Sequence, residues 1–173
     1  MGGDPQLKDS HMPNDFADLP LHPLIVHATV VIIPLAALTV LLAALWPRFR
    51  MWAGPLPLAL SVVGLVLVPL STSTGEALEE KVSRTALLEE HTQIAEGLLP
   101  WMIGLTAVAL AGYALHWRAG RGQTSHRSLL VVVAALAVVA VAGTSIQVVR
   151  IGHSGAKAAW SATDLSATHD AGD

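Results

Sequence analysis

Four stretches without a charged side chain, 23–47, 51–75, 97–117 and 128–149, constrain this chain more than anything else in it. Each has 21 residues or more, and about 20 helical residues cross a hydrocarbon core of roughly 30 Å. Lipid offers no water to backbone N–H and C=O groups, so each stretch must close its own hydrogen bonds as a helix. The expected fold class is therefore all-α, a four-helix transmembrane bundle. Composition agrees: 13% of the 173 residues are charged and 53% hydrophobic, against roughly 25% charged in an average soluble domain. The mean hydropathy is +0.55. The length suits one membrane domain over 21–156, with spans at about 23–47, 51–75, 93–117 and 128–151. A polar tail, 1–20, precedes it and a flexible tail, 157–173, is expected to follow.

Local signals place the helix ends and contacts. Pro23 suits the first position of a helix, with His22 just before it as the cap. Pro34, Pro69 and Pro100 fall in or near spans and are expected to kink them. Gly64, Gly104, Gly112 and Gly143 are candidates for close helix approach. Trp46, Trp52 and Trp117 flank apolar runs, where amphipathic rings settle at the interface.

The connections differ in charge. Arg48 and Arg50 form one short basic loop, and Arg118, Arg121 and Arg127 a second, with no acid in either. Between spans two and three, 76–96 carries six glutamates against Lys81 and Arg84. Segment 76–90 is expected to form a short amphipathic helix on the outer surface, since Ala77, Leu78, Val82 and 85–88 recur at helical spacing. Short basic loops stay in the cytoplasm, which places both termini outside. No cleavable signal peptide is visible before the first span. The absence of cysteine excludes thiolate nucleophiles, disulfides and iron–sulfur ligation by this chain. No nucleic-acid partner is expected; the lipid bilayer is.

Four of the eight histidines stand out. His22 and His27 open span one, His91 opens span three, and His153 follows span four. In an alternating bundle these positions meet at one end, whichever way the protein is inserted. The other four, His11, His116, His126 and His169, lie in tails or beside the arginines and are read as solvated or headgroup residues. More polar groups reach the histidine end: 71–76 with Glu76, then Glu90, Thr92, Glu96, Thr144, Gln147 and Arg150. In the opposite half they thin out to Thr39, Ser61, Thr106 and Tyr113. One wet and one dry end disfavours transport, which needs polar groups spread across the membrane.

Neutral imidazole is the commonest metal ligand. Imidazoles from facing helices can clamp a haem iron in a bundle, with His27, His91 and His153 as candidate ligands and Arg150 as a propionate partner. Haem b is the first expectation. Zinc or copper held by His22, His27, His91 and His153 with Glu76 is the alternative. His22 and His27 are five apart, about 140° around a helix, so His27 is the better ligand and His22 a supporting group. The contrasting expectation is that no cofactor binds and the rings make hydrogen bonds that cap the bundle. Two functions follow: electron transfer at the outer face, or a non-catalytic accessory subunit of a membrane complex. A hydrolase, with Glu76, Glu90 or Glu96 activating a metal-bound water, is a distant third. The enzyme question leans towards a redox or binding subunit.

The opening Leu21-His22-Pro23-Leu24-Ile25-Val26-His27 resembles that of a bacterial family known as domain of unknown function 2231. Thr74-Gly75-Glu76, Glu90-His91 and Gly152-His153 are also similar to that family's pattern, and the resemblance covers roughly 20–156. It implies a four-span protein of the bacterial cytoplasmic membrane, sometimes joined to a Rieske-type iron–sulfur domain. That association implies redox work; without cysteine here, the electron partner would be another chain.

Overall fold

The computed structural model describes residues 15–16, 19–79, 85–123 and 127–169, with side chains over 24–77, 85–123 and 127–160. Six helices are described: α1 (Leu21–Leu45), α2 (Pro47–Ala53), α3 (Leu56–Glu79), α4 (Ala86–Glu96), α5 (Leu98–Gly120) and α6 (Arg127–His169). A two-residue antiparallel ladder, Asp15–Phe16 with Leu19–Pro20, precedes them. Four helices are long and apolar enough to cross a membrane, so the chain is an all-α membrane bundle. The main packing pairs are α1 with α3, α3 with α5, α5 with α6 and α6 with α1. That order closes a square of alternating helices, each beside the one that follows it in the chain.

The core is narrow and made of small or medium side chains. Ile33, Ala36, Ala37 and Val40 of α1 meet Val68 of α3, Leu98, Met102 and Leu105 of α5, and Ala137 and Ala140 of α6. These recur at three- and four-residue spacing, which puts each set on one helix face. The opposite faces carry exposed Val31, Leu38, Val66, Leu110, Val139 and Val149. An apolar outer surface of this extent suits lipid, not water.

Two of the expected glycine contacts are real. A Cβ on Gly64 would lie 2.8 Å from Met102 Cε, and one on Gly143 would lie 2.0 Å from the Trp101 ring. Both glycines therefore fix how near α3 and α6 come to α5. Gly104 meets nothing within 4 Å. Pro34 and Pro69 sit inside α1 and α3, but Pro100 falls in the first turn of α5. There its missing N–H costs no hydrogen bond, so the expected kink has no cause. The α5–α6 turn closes with Gly122 N–H on Ala119 O at 3.0 Å and Gln123 N–H on Arg118 O at 3.1 Å. Gly122 has φ +76°, the left-handed conformation that this paired C-cap requires.

Three boundaries differ from the sequence expectation. The first basic loop is the short helix α2, started by Pro47 after Trp46. The amphipathic helix is shifted: α3 runs on through 76–79, and the separate helix covers Ala86–Glu96, with the third span opening at Leu98 after Gly97. The segment between, 80–84, lies outside the described residues. The expected flexible tail is helical through His169, because α6 runs for 43 residues. At 1.5 Å per residue it is about 64 Å long, roughly twice a hydrocarbon core. Its second half therefore stands beyond the bundle, and α4 packs along it.

Candidate functional site

The histidine end is built where α4 lies on α6. Thr85 caps α4, its Oγ1 accepting from Leu88 N–H at 3.2 Å, and Glu89 adds a carboxylate to the positive first turn. The other end of α4 is closed by α6. Gln147, buried, donates from Nε2 to Ile94 O. That carbonyl is among the last four of α4, which have no partner inside the helix. Gly97 leaves the room: a Cβ there would come 2.6 Å from Gln147 Nε2.

His91 makes the second cross-helix contact. Its Nδ1 lies 2.9 Å from Ser154 Oγ, and Ser154 Oγ donates to Ile151 O at 3.0 Å. The hydroxyl has one proton. With that proton on Ile151 O, the hydroxyl accepts from His91 Nδ1–H and leaves Nε2 with its lone pair. The ring also rests on α6 backbone, since a Cβ on Gly155 would be 3.1 Å from His91 Cε1. Burial pushes the His91 pKa below its ordinary 6.5, because desolvation penalises the imidazolium.

Beside this contact runs an open groove of about 190 Å³, lined from α4 by Leu87, Glu90 and Ile94 and from α6 by Arg150, His153, Ser154 and Lys157. Glu90 on one wall faces cationic groups on the other, so the groove is polar and of mixed charge.

The expected constellation is only partly assembled. His91 and the 150–157 segment of α6 come together. Among the described residues, however, no three His, Asp or Glu side chains converge as a metal site. His27 is exposed on α1, Glu76 is exposed on α3, and His153 and Arg150 are exposed on α6. The side chain of His22 lies outside the described residues. The hydroxyl protons of 72–74 are not directed to a ligand either. Thr72 donates to Pro69 O, Ser73 to Leu70 O, and Thr74 to Leu70 O and Ser71 O, all on their own helix.

Sequence reasoning singled out His153 and passed over its neighbour. Once α6 continues past the span, Gln147, Ile151 and Ser154 recur at four and three residues and share the face towards α4. His153 falls about 100° off it. The signal was the seven-residue step from Gln147 to Ser154, hidden by the assumption that the helix ends near 151. In the other half of the bundle three of the four polar groups, all but Tyr113, donate to backbone. Thr39 donates to Ala36 O, Ser61 to Pro57 O, and Thr106 to Met102 O and to Ser61 O across to α3.

No curated protein and no solved structure matches the chain. Residues 18–163 do match a family described as predicted membrane proteins, DUF2231. With four apolar membrane-crossing helices, and a match over most of its length, the chain belongs to the DUF2231 family.

Proposed function

We propose that the protein is an accessory subunit of a bacterial inner-membrane complex, and that its histidine end, facing outward, is a rigid docking ledge. The observation that carries this reading is the His91–Ser154 hydrogen bond. One of the two ring nitrogens is committed to holding the middle of α4 on α6, and Gln147 holds the C-terminal end of the same helix. The ledge presents the groove between Glu90 and the Arg150, His153 and Lys157 side chains. A partner with paired acidic and basic groups fits it. Orientation follows from the basic loops at the opposite end.

A second reading is supported by the tautomer. Metal-ligating histidines commonly donate their other N–H to a protein acceptor, as His91 Nδ1 does to Ser154. His91 Nε2 and His153 would then be the ligands of haem b, zinc or copper for electron transfer, with Arg150 near a propionate.

An absorption spectrum separates the two. The full chain is expressed with haem supplied, purified in detergent, and scanned oxidised and dithionite-reduced. The docking reading expects a colourless protein without stoichiometric zinc or copper by elemental analysis. A Soret band, or metal lost together in His91→Ala and His153→Ala, overturns it in favour of the redox reading.

A further inference from the structure

A mainly apolar cavity lies at the end of the bundle away from His27, His91 and His153. All four spans and α2 line it, with a volume of about 140 Å³. Small side chains leave it open: Ala43, Ala109, Gly112 and Ala134 face it where Ile33, Met102 and Leu105 fill the other half. Polar groups stand at one part of the wall: Arg50, Tyr113 and His116.

Arg50 is half-buried, and its side chain makes one hydrogen bond among the described residues, a long one of 3.4 Å from Nη1 to Ala43 O. Neither Tyr113 nor His116 makes a side-chain hydrogen bond among the described residues. No protein acid can neutralise the guanidinium from nearby sequence, because 19–75 and 97–163 contain no Asp or Glu. The remaining charges at this end, Arg48, Arg118, Arg121 and Arg127, are all positive. The cavity is open on one side and its lining is mostly aliphatic, which suits an apolar chain that enters from the membrane. A partly desolvated cation requires an anion. Together they specify one kind of molecule.

We infer that this cavity binds an anionic acyl-chain amphiphile from the membrane, its chain between the four spans and its carboxylate or phosphate on Arg50, with Tyr113 and His116 donating to the same head. The site is independent of the histidine end, and the two stand or fall separately.

The test uses the full chain in phosphatidylcholine nanodiscs, with radiolabelled decyl phosphate measured by equilibrium dialysis against matched empty nanodiscs. Saturable binding of one molecule per chain is expected, weakened at least tenfold in Arg50→Gln. Gly112→Leu should abolish it by filling the cavity. Gly112→Ala is the milder second variant, since its Cβ would meet only Val133 Cγ1 at 4.0 Å; circular dichroism checks that each variant folds. Decanol should bind at least tenfold more weakly, and inorganic phosphate should not displace the probe. Equal binding of decanol with no effect of Arg50→Gln overturns the inference, as does displacement by inorganic phosphate. Competition by phosphatidic acid in the nanodisc would identify a bilayer phospholipid as the source. Its failure to compete would identify a single-chain amphiphile; both uphold the site.

Discussion

His91 joins three links of the chain from sequence to behaviour. It is half-buried, bonded through Nδ1 to Ser154 Oγ, and held below its ordinary pKa of 6.5 by desolvation. The unfolded chain therefore binds a proton at this position before the folded one does. Stability contributed by the neutral ring is complete above about pH 6.5 and is lost as pH falls through the lowered folded value. Glu90, Arg150, His153 and Lys157 border the same groove, so the slope must be assigned by substitution. His91→Asn, whose amide can still donate to Ser154, is expected to keep most of the stability and lose the pH dependence. His91→Ala should lose about 1 kcal/mol at pH 8, the net worth of a typical hydrogen bond. Thermal melts in detergent from pH 5 to 8 measure both; an unchanged wild-type slope in His91→Asn would remove His91 as its source. Thr144 tests the opposite situation. It is fully buried in α6, and its Oγ1 has no partner among the described residues. Thr144→Val keeps the shape and removes an unsatisfied hydroxyl, so it should melt higher, by about 1 kcal/mol of added stability. A lower melting point would show that the hydroxyl has a partner in solution.

At the scale of elements, α4 is held on α6 by polar contacts at its middle, His91 to Ser154, and near its C-terminal end, Gln147 to Ile94 O, rather than by a large apolar face, since none of its residues is buried. Gln147→Leu leaves Ile94 O without its donor, an expected cost of about 1–3 kcal/mol. Because the loss is local, it should appear first as faster amide hydrogen exchange over 86–96, with the spans still protected. Uniformly faster exchange across α1, α3 and α5 would mean that Gln147 supports the whole bundle. The four spans were legible because charge is so costly in lipid that its absence alone outlines them. The limits of α4 were not. Ala86, Leu87 and Leu88 look like the end of one amphipathic stretch, and Ile94 and Ala95 like the start of a span. The boundary falls at Gly97, where Gln147 takes the Ile94 carbonyl, a contact that no apolar spacing displays. The extension of α6 was hidden for another reason. Residues 152–169 are polar enough to resemble a tail, yet Ala156, Ala158, Ala159, Ala162 and Ala167 carry high helix propensity. Propensity, not hydrophobic periodicity, continues that helix.

For the whole molecule, connectivity decides which groups can meet. The beginnings of α1 and α5 and the ends of α3 and the spanning part of α6 share one end of the square. This was readable from span order alone and places His91 beside the α6 segment that follows Arg150. Convergence on a single point was not readable, because it depends on helix rotation, and rotation leaves His27, Glu76 and His153 exposed. Span order also leaves insertion open: both orientations bury the same core and expose the same apolar surface to lipid. Only the charges of the connections distinguish them. Arg48, Arg50, Arg118, Arg121 and Arg127 crowd one end in short connections, while six glutamates lie over 76–96 at the other. Moving the basic connections across the membrane is the costlier event, so the histidine end should face outward. The chain has no cysteine, which makes single-cysteine variants clean reporters. Glu89→Cys on α4 and Gln123→Cys after α5 are both at exposed positions. A membrane-impermeant maleimide applied to intact cells should label the first and reach the second only after permeabilisation. The reverse pattern would turn the molecule over, putting the α4–α6 groove in the cytoplasm and the Arg50 cavity at the outer leaflet.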